Sequence, residues 1–243
     1  MTATALSLRT FLRNRDYLDP TVIWKQCIAN NPLHPRPYRI LASSLQNKEP
    51  DLAVQVYEDG LAKHPDLYWL WIDLGNLQLQ LKNNAAAVKA YEQAARVGPQ
   101  YVTAHVNLSR LRMLTGDFAG AIAAAENAVA VQPPDPLAFK QLAWLLATAD
   151  DPALRDGRRA LAILRRLPQD SRRVDIQYLE ALSAAQAEAG EFDQAIASAA
   201  KALDEARKIR SRRVTEFEER LKLYQSHQPY RLTASKPPSA GRS

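Results

Sequence analysis

The sequence predicts an all-α protein, a solenoid of stacked antiparallel helical hairpins. Alanine and leucine dominate the 243 residues and eight are glycine, so strong helix formers outnumber the β-branched and aromatic residues that strands favour. A period of about 34 residues also relates five stretches of the chain to one another. The clearest copy covers residues 102–135, where Gly116-Asp117-Phe118 forms the turn between two helices and Pro133 closes the unit.

The copies share small residues at the positions where the two helices of a hairpin would touch. In the first helices these residues are Ala42, Gly75, Ser109, Ala143 and Ser183. Small side chains allow a close helix crossing, while neighbouring leucines and aromatic residues fill the space around it. One hairpin cannot bury its apolar face alone, so about three or more have to stack, and five copies meet this condition.

This register resembles the tetratricopeptide repeat (TPR) family. The resemblance implies a right-handed solenoid whose first helices line a concave groove for an extended peptide or a partner helix. The chain departs from the family pattern late in the first helix, where Gln78, Arg112 and Gln186 replace a bulky residue. Leu77 and Leu111 lie one residue earlier, and we expect them to fill the same space.

The register divides the chain into four segments. They are a leader or partial helix at 1–18, a solenoid of a half-repeat and five repeats at 19–205, a basic capping helix at 206–231, and a disordered tail at 232–243. Asp19 and Pro20 are typical of a helix start and open the half-repeat. The largest irregularity inside the solenoid is an insertion at 148–156.

The capping helix is predicted from about Ala206 to Tyr224. Its apolar residues recur on one helical face, and these are Val214, Phe217, Leu221 and Tyr224. Arginines occupy the other faces, and we expect them to be solvated.

Two segments carry a narrower resemblance. LAWLLATADDPALRDGRRALAIL (142–164) and RLKLYQSHQPYR (220–231) are similar to the C-terminal TPR portion of bacterial membrane proteins related to dolichyl-phosphate-mannose-type protein glycosyltransferases. Free-standing bacterial TPR proteins share the same ending. In the membrane proteins a stretch similar to RNRDYLDPTVIW (13–24) follows the last membrane helix. The membrane-embedded catalytic part has no counterpart, so no catalytic residue carries over.

The positive charge is concentrated at one end of the chain. The formal net charge is +6, and residues 206–243 hold ten Lys/Arg against three Glu, so the remainder carries −1. This distribution argues against a protein-wide nucleic-acid or membrane surface. Binding of the basic end to nucleic acid or anionic lipid stays open as an alternative. Acidic residues that follow at i, i+4 spacing favour a solvated cap instead, so we expect no nucleic-acid partner.

Residues for catalysis, cofactors or metals are sparse. The four histidines have no i, i+4 ligand spacing, the one cysteine allows no disulfide, and no Gly-rich loop is placed to cradle a phosphate. We therefore expect a non-enzyme without cofactor or metal. Cys27 and His105 are predicted to be buried packing residues. The carboxylates of Asp150, Asp151 and Asp156 are predicted to pair with the arginines of their own turn.

The TPR register places nine side chains in the groove. They are Arg36, Arg39, Ser43, Trp69, Asn76, Asn107, Arg110, Lys140 and Trp144. The two asparagines are expected to hold a peptide backbone, and Arg110 with Lys140 to hold an acidic group. Trp144 is expected to be the anchor. The alternative, that these are ordinary solvated or packing positions, stays open.

One specific kind of TPR groove is disfavoured. The clamp that binds the C-terminal carboxylate of heat-shock chaperones needs cations around two asparagines. Asn76 and Asn107 match the asparagines, but Ile72, Leu137 and Gln141 stand where the cations are needed.

The sequence therefore predicts a non-catalytic protein-interaction scaffold. The alternative is an extramembrane accessory domain of a glycosyltransferase-like membrane protein. The compartment follows from that choice: cytoplasmic for a complete chain, periplasmic for a fragment of such a membrane protein. No run approaches the roughly 18 apolar residues of a membrane helix, so membrane association is expected only through a larger protein. The incomplete N-terminal repeat leaves an apolar edge through which self-association is possible.

Overall fold

The computed structural model describes residues 20–167 and 175–232, and over these ranges the chain consists of helices and turns without a strand. The α-helices are α1 (Pro20–Asn30), α2 (Pro35–Leu45), α3 (Pro50–Lys63), α4 (Tyr68–Gln80), α5 (Asn84–Val97), α6 (Val102–Thr115), α7 (Phe118–Ala130), α8 (Pro136–Thr148), α9 (Gly157–Arg165), α10 (Ile176–Glu188), α11 (Phe192–Lys208) and α12 (Val214–Gln225). A 3₁₀-helix (Pro152–Leu154) lies between α8 and α9. The predicted all-α fold class is confirmed.

Two predicted segments fall outside these ranges. They are the leader at 1–18 and, beyond Leu232, the tail at 232–243. Within the described ranges, no helix has the length and apolar character needed to cross a bilayer.

The described residues form two compact units, one ending at Pro99 and the other beginning at Gln100. The first holds α1 to α5 and the second holds α6 to α12. The sequence predicts one continuous array at 19–205 and does not indicate this division, which falls between two hairpins.

In the first unit, α2 pairs with α3, α4 pairs with α5, and α1 packs against α2. The helix crossing of the second hairpin depends on Gly75. A Cβ added to Gly75 would lie 2.6 Å from Cε1 of Tyr91, so the ring occupies the space that any side chain would need. The prediction that a small residue permits this close approach agrees with the packing.

The N-terminal half-repeat is less buried than the sequence predicts. Among the described residues of α1 none is fully buried, and Cys27 is half-buried instead of buried. Cys27, Trp24 and His34 line a shallow cleft of about 420 Å³ at this end of the unit. Cys27 is half-buried because the described chain covers α1 on one side, where it contacts α2.

In the second unit, α6 pairs with α7, α8 with α9 and α10 with α11, and α12 packs on α11. The first helices α6, α8 and α10 also contact each other in succession, so they form one face. The small residues Ser109, Ala143 and Ser183 are buried as predicted. The turn at Gly116 has φ 85°, a left-handed conformation that glycine adopts without strain, and the Asp117 side chain accepts a hydrogen bond from the Gly120 N–H.

The insertion at 148–156 differs from the predicted self-paired turn. Asp151 caps the 3₁₀-helix by accepting from the Ala153 N–H, and Asp156 caps α9 by accepting from the Arg159 N–H. Arg155 instead pairs with Glu188 of α10 (Nε–Oε1 3.1 Å) and donates to the carbonyls of Ala149 and Asp150. The first N–H groups of a helix have no partner within it, and Asp151 and Asp156 accept hydrogen bonds from such groups. These carboxylates therefore act as helix caps and not as partners of the arginines in their own turn.

The predicted capping helix is also revised. Residues 206–208 belong to α11, a turn follows in which Arg210 has φ 52°, and α12 begins at Val214. The arginines of α12 are not all solvated, because Arg220 is buried with 7% of its surface exposed.

Beyond α12 the chain turns back on itself. His227 has φ 52°, its N–H donates to the Tyr224 carbonyl, and the Gln228 N–H donates to the Leu223 carbonyl, which is a left-handed helix end. Residues 226–232, here called the strap, then run to the end of α8, where the Leu232 N–H donates to the Thr148 carbonyl at 2.7 Å.

Candidate functional site

The face formed by the first helices of the second unit contains a cleft of about 480 Å³, here called the first-helix cleft. Its walls come from α6, α8, α10, α12 with the residue before it, and the strap. The lining residues are Val106, Arg110, Met113, Leu137, Lys140, Gln141, Trp144, Gln177, Glu180, Arg213, Glu216, Arg220, Tyr230 and Leu232.

Three of the nine predicted groove residues meet in this cleft, namely Arg110, Lys140 and Trp144. Asn107 is on the same helix as Arg110 and is half-buried, but it does not line the cleft. The other five lie in the first unit, and these are Arg36, Arg39, Ser43, Trp69 and Asn76. The predicted set is therefore divided between the two units.

In the first unit, Arg39 and Trp69 contact each other. The Arg39 guanidinium lies 5.4 Å from the centroid of the Trp69 ring, and its Nε donates to Asp73 Oδ2 at 2.6 Å. Burial raises the pKa of Asp73 despite this arginine, and burial next to Asp73 raises the pKa of Tyr57 to about 12. The Arg39 guanidinium therefore already has an anionic partner, Asp73, within the first unit.

Asn76 also has a partner within its own hairpin. Its side-chain oxygen accepts a hydrogen bond from the Tyr91 hydroxyl at 2.7 Å. This contact joins α4 to α5 beside the Gly75 crossing. Asn76, whose side chain was expected to hold a peptide backbone, thus uses its side-chain oxygen for a contact within the hairpin.

In the second unit, Lys140 and Arg110 differ in what they offer a ligand. The Lys140 ammonium pairs with Asp175, the N-cap residue of α10, and Lys140 is buried. Arg110 is exposed and forms no ion pair with any described residue. Of the two cations expected to hold an acidic group, Arg110 is the one left for a partner.

Trp144 lies at the strap end of the cleft and is half-buried. Its ring centroid is 5.6 Å from that of Tyr230 in the strap, and 4.9 Å from the guanidinium carbon of Arg220. The same carbon lies 4.8 Å from the Tyr230 ring, so Arg220 is in cation–π contact with both aromatic residues. The expected anchor is therefore covered in part by the chain itself.

A buried carboxylate holds two arginines at the base of the cleft. Glu180 of α10 pairs with Arg220 and with Arg213, and only 8% of its surface is exposed. Glu216 of α12 binds both arginines from the solvent side. The pKa of Arg213 is raised, because its hydrogen bonds and charge contacts with Glu180 outweigh the opposing effect of burial.

These residues are missing from the sequence-predicted site, although the repeat period contained a signal for some of them. Several ion pairs join residues about one repeat apart in the chain. The separation is 33 residues for Glu180 and Arg213, 35 for Lys140 and Asp175, and 34 for Arg39 and Asp73. Opposite charges one repeat apart in adjacent first helices predict such bridges. Tyr230 has no equivalent signal, because it lies outside the repeats.

Most of the basic cluster before α12 is neutralised. Arg207 pairs with Glu218, Lys208 pairs with Asp204 and Glu205, and Arg213 pairs with Glu180 and Glu216. Arg210 and Arg212 are exposed and have no ion pair within the described ranges. In the same ranges no group of three or more His, Cys, Asp or Glu side chains is arranged to hold a metal ion.

Residues 72–138 match the tetratricopeptide repeat family. Among solved structures, the chain is similar to the MamA protein (16% identity over 72% of this chain and 92% of that one, TM-score 0.58). It is likewise similar to PilF of Pseudomonas aeruginosa (16% identity, 88% and 94%, TM-score 0.61). A third is YrrB, described as a TPR protein with an unusual peptide-binding site (18% identity, 74% and 91%, TM-score 0.59). No curated protein matches the sequence.

The solved structures share the fold with this chain at low identity. The matched family covers the second hairpin of the first unit and the hairpin that opens the second. The small residues at the helix crossings, the paired helices and the stacked first helices extend the same pattern to the remaining hairpins. Residues 72–138 therefore belong to the tetratricopeptide repeat family, and the described helices have the fold of a tetratricopeptide repeat solenoid.

Proposed function

We propose that this protein is an interaction scaffold that binds an extended peptide or a partner helix in the first-helix cleft of its second unit. The observation that carries the proposal is Arg110, an exposed cation at a cleft whose other described ionic groups are already paired. The similarity of the fold to YrrB, whose description names a peptide-binding site, supports this type of function.

The surroundings of Arg110 define what the partner has to carry. Leu137 faces the cleft with 40% of its surface exposed, and the half-buried Met113 lies on the same helix as Arg110. A segment with an acidic residue for Arg110 and an apolar side chain for Leu137 and Met113 would satisfy both groups. The polar side chains of Gln141 and Gln177 remain at the cleft for contacts to a peptide backbone.

Charge reversal at Arg110 tests the proposal. Tagged wild-type protein and an Arg110→Glu variant are used to capture partners from the source cells, and captured proteins are compared quantitatively. We expect Arg110→Glu to weaken capture of the specific partner by about tenfold or more, because the attraction between Arg110 and an acidic residue of the partner becomes a repulsion.

The matched control is Arg158→Glu, which reverses an exposed arginine on α9, outside the cleft. Both variants should keep the wild-type helical circular dichroism. Equal capture by Arg110→Glu, Arg158→Glu and the wild type would place the partner's binding surface elsewhere.

The second candidate is an accessory domain of a glycosyltransferase-like membrane protein. One observation favours it: the two segments that carry the narrower resemblance are in direct contact. Trp144 of the first segment contacts Tyr230 and Arg220 of the second, and the Ala147 carbonyl of the first accepts from Arg231 of the second. A native reading frame with upstream membrane helices, and recovery of the protein with membranes, would favour this candidate over a free-standing scaffold.

A further inference from the structure

The strap occupies a set of groups that are suited to an extended peptide. Its residues Tyr230, Arg231 and Leu232 each meet a different feature of α8 and α10. Tyr230 lies on Trp144, the Arg231 Nη2 pairs with Glu188 Oε2 at 2.6 Å, and the Leu232 N–H donates to the Thr148 carbonyl. The Leu232 side chain also packs against the apolar core of the unit, so one aromatic, one basic and one aliphatic residue bind in succession.

The end of α8 provides main-chain acceptors for such a segment. The last four carbonyls of a helix lack partners within it. The Leu145 carbonyl accepts from the Ala149 N–H and the Leu146 carbonyl from the Asp156 N–H, both outside the strap. The carbonyls of Ala147 and Thr148 are left, and they receive Arg231 Nη1 and the Leu232 N–H. The negative end of the helix also favours the positive side chain of Arg231.

The groups that receive the strap keep other partners when it leaves. Glu188 also binds Arg155 through its second oxygen, and Trp144 also contacts Arg220. Arg220 remains paired with Glu180. Departure of the strap therefore exposes two carbonyls and the half-buried side chains of Tyr230 and Leu232, but it leaves no buried charge without a partner.

We propose that the Trp144–Glu188–Thr148 surface is a site for an extended partner segment of aromatic–basic–aliphatic sequence, and that the strap fills this site in the free protein. The inference rests on the proposed function, since it specifies the partner chemistry at one end of the first-helix cleft. Tyr230 and Leu232 line that cleft together with Arg110. A partner that extends along the cleft from Arg110 reaches the strap and replaces it.

The test uses the full chain and a synthetic peptide with the strap sequence, SHQPYRL. A released variant carries Tyr230→Ser, Arg231→Ser and Leu232→Ser. Peptide binding is measured by titration calorimetry on the wild type and on the released variant. We expect the released variant to bind at least about tenfold more tightly, because a tethered strap competes at an effective concentration in the millimolar range. A peptide with Tyr→Ala and Arg→Glu at the matching positions should not bind.

A second measurement follows the strap in the wild-type protein. We expect a large excess of the SHQPYRL peptide to speed hydrogen exchange of the Leu232 amide, while amides in the core of α8 stay protected. This readout does not depend on how well the released variant folds.

Four results would overturn the inference. They are no peptide binding by a folded released variant, equal binding by both proteins, unfolding of the released variant with no effect of the peptide on Leu232 exchange, or a concentration-dependent dimer that exchanges straps between copies. Failure of the proposed function is a separate result. Peptide binding as expected, with no effect of Arg110→Glu on partner capture, would retain the strap site and discard the role of Arg110.

Discussion

Gly75 illustrates how one residue sets the distance between two helices. Its neighbour Tyr91 is buried, and the Tyr91 hydroxyl is tied to Asn76, so the ring has little freedom to move away from an added side chain. Helix propensity alone favours alanine over glycine by about 1 kcal/mol. Overpacking in a close-packed core costs about 1–3 kcal/mol. The two effects oppose each other, so the sign of the change in stability shows which one is larger.

We expect Gly75→Ala to destabilise the first unit, by about 1 kcal/mol after the gain in propensity, and Gly75→Leu to destabilise it further. Urea unfolding followed by circular dichroism measures the change through the midpoint at constant slope. A more stable Gly75→Ala protein would mean that the Tyr91 ring moves aside and that this crossing does not require glycine.

At the scale of the element, α12 is attached to the stack by charge as well as by apolar contact. Phe217 and Tyr224 are buried against α10 and α11 residues, and Arg220 reaches the carboxylate of Glu180. Removing one partner of a buried ion pair costs about 3–5 kcal/mol, because the other charge stays buried and unpaired. An exposed pair contributes about 0–1 kcal/mol.

Glu180→Gln and Glu216→Gln therefore form a matched pair. Both remove one carboxylate that binds Arg213 and Arg220, but Glu180 is buried and Glu216 is exposed. We expect Glu180→Gln to lower the free energy of unfolding by about 3 kcal/mol and Glu216→Gln by less than about 1 kcal/mol. Thermal and denaturant unfolding of the two variants at neutral pH checks this. Equal losses would show that Arg220 is not held mainly from the α10 side.

The elements themselves follow closely from the sequence, because small residues at fixed spacing in two helices have one simple explanation. Ala42, Gly75, Ser109 and Ala143 are all buried at helix crossings. The break between α11 and α12 is not visible in the same way. The stretch from Ala206 to Val214 contains no proline or glycine, yet the chain makes a left-handed turn at Arg210 before α12 packs on α11.

The candidate site is harder to predict than the fold, because a register tells which way a side chain points but not what occupies the space in front of it. Arg110, Lys140 and Trp144 do lie together. Asp175 pairs with Lys140 and Tyr230 covers part of Trp144, so Arg110 is the one of the three that is left for a partner. Tyr230 comes from a segment without any repeat pattern. Long-range contacts of this kind depend on the tertiary fold.

At the scale of the whole molecule, the net charge is a poor guide to partners. All of the positive excess is in residues 206–243, but Arg207, Lys208 and Arg213 are bound to carboxylates. In the basic cluster before α12, within the described ranges, the exposed cations without an ion pair are Arg210 and Arg212. Nucleic-acid affinity at physiological salt grows with the number of phosphates neutralised, and two cations neutralise few.

We expect no saturable binding of duplex DNA below about 10 µM at roughly 0.15 M salt, measured by fluorescence anisotropy of a labelled fragment. The double variant Arg210→Glu with Arg212→Glu should capture protein partners as the wild type does. Charge reversal is a cleaner test than removal of residues 206–243, since that removal also deletes the buried Phe217 and Tyr224. Tight binding that falls steeply with salt and is lost in the double variant would identify the cluster as a nucleic-acid site.

The stacking around Trp144 also has an optical consequence. Trp24, Trp69 and Trp71 all lie in the first unit, so Trp144 is the single indole of the second. Indole emission responds to an adjacent guanidinium, to a neighbouring phenol ring and to water, and Trp144 has the first two within 6 Å. With the other three tryptophans replaced by phenylalanine, the protein would carry one intrinsic fluorophore at the strap. Its emission would then report, without any added label, when Tyr230 leaves.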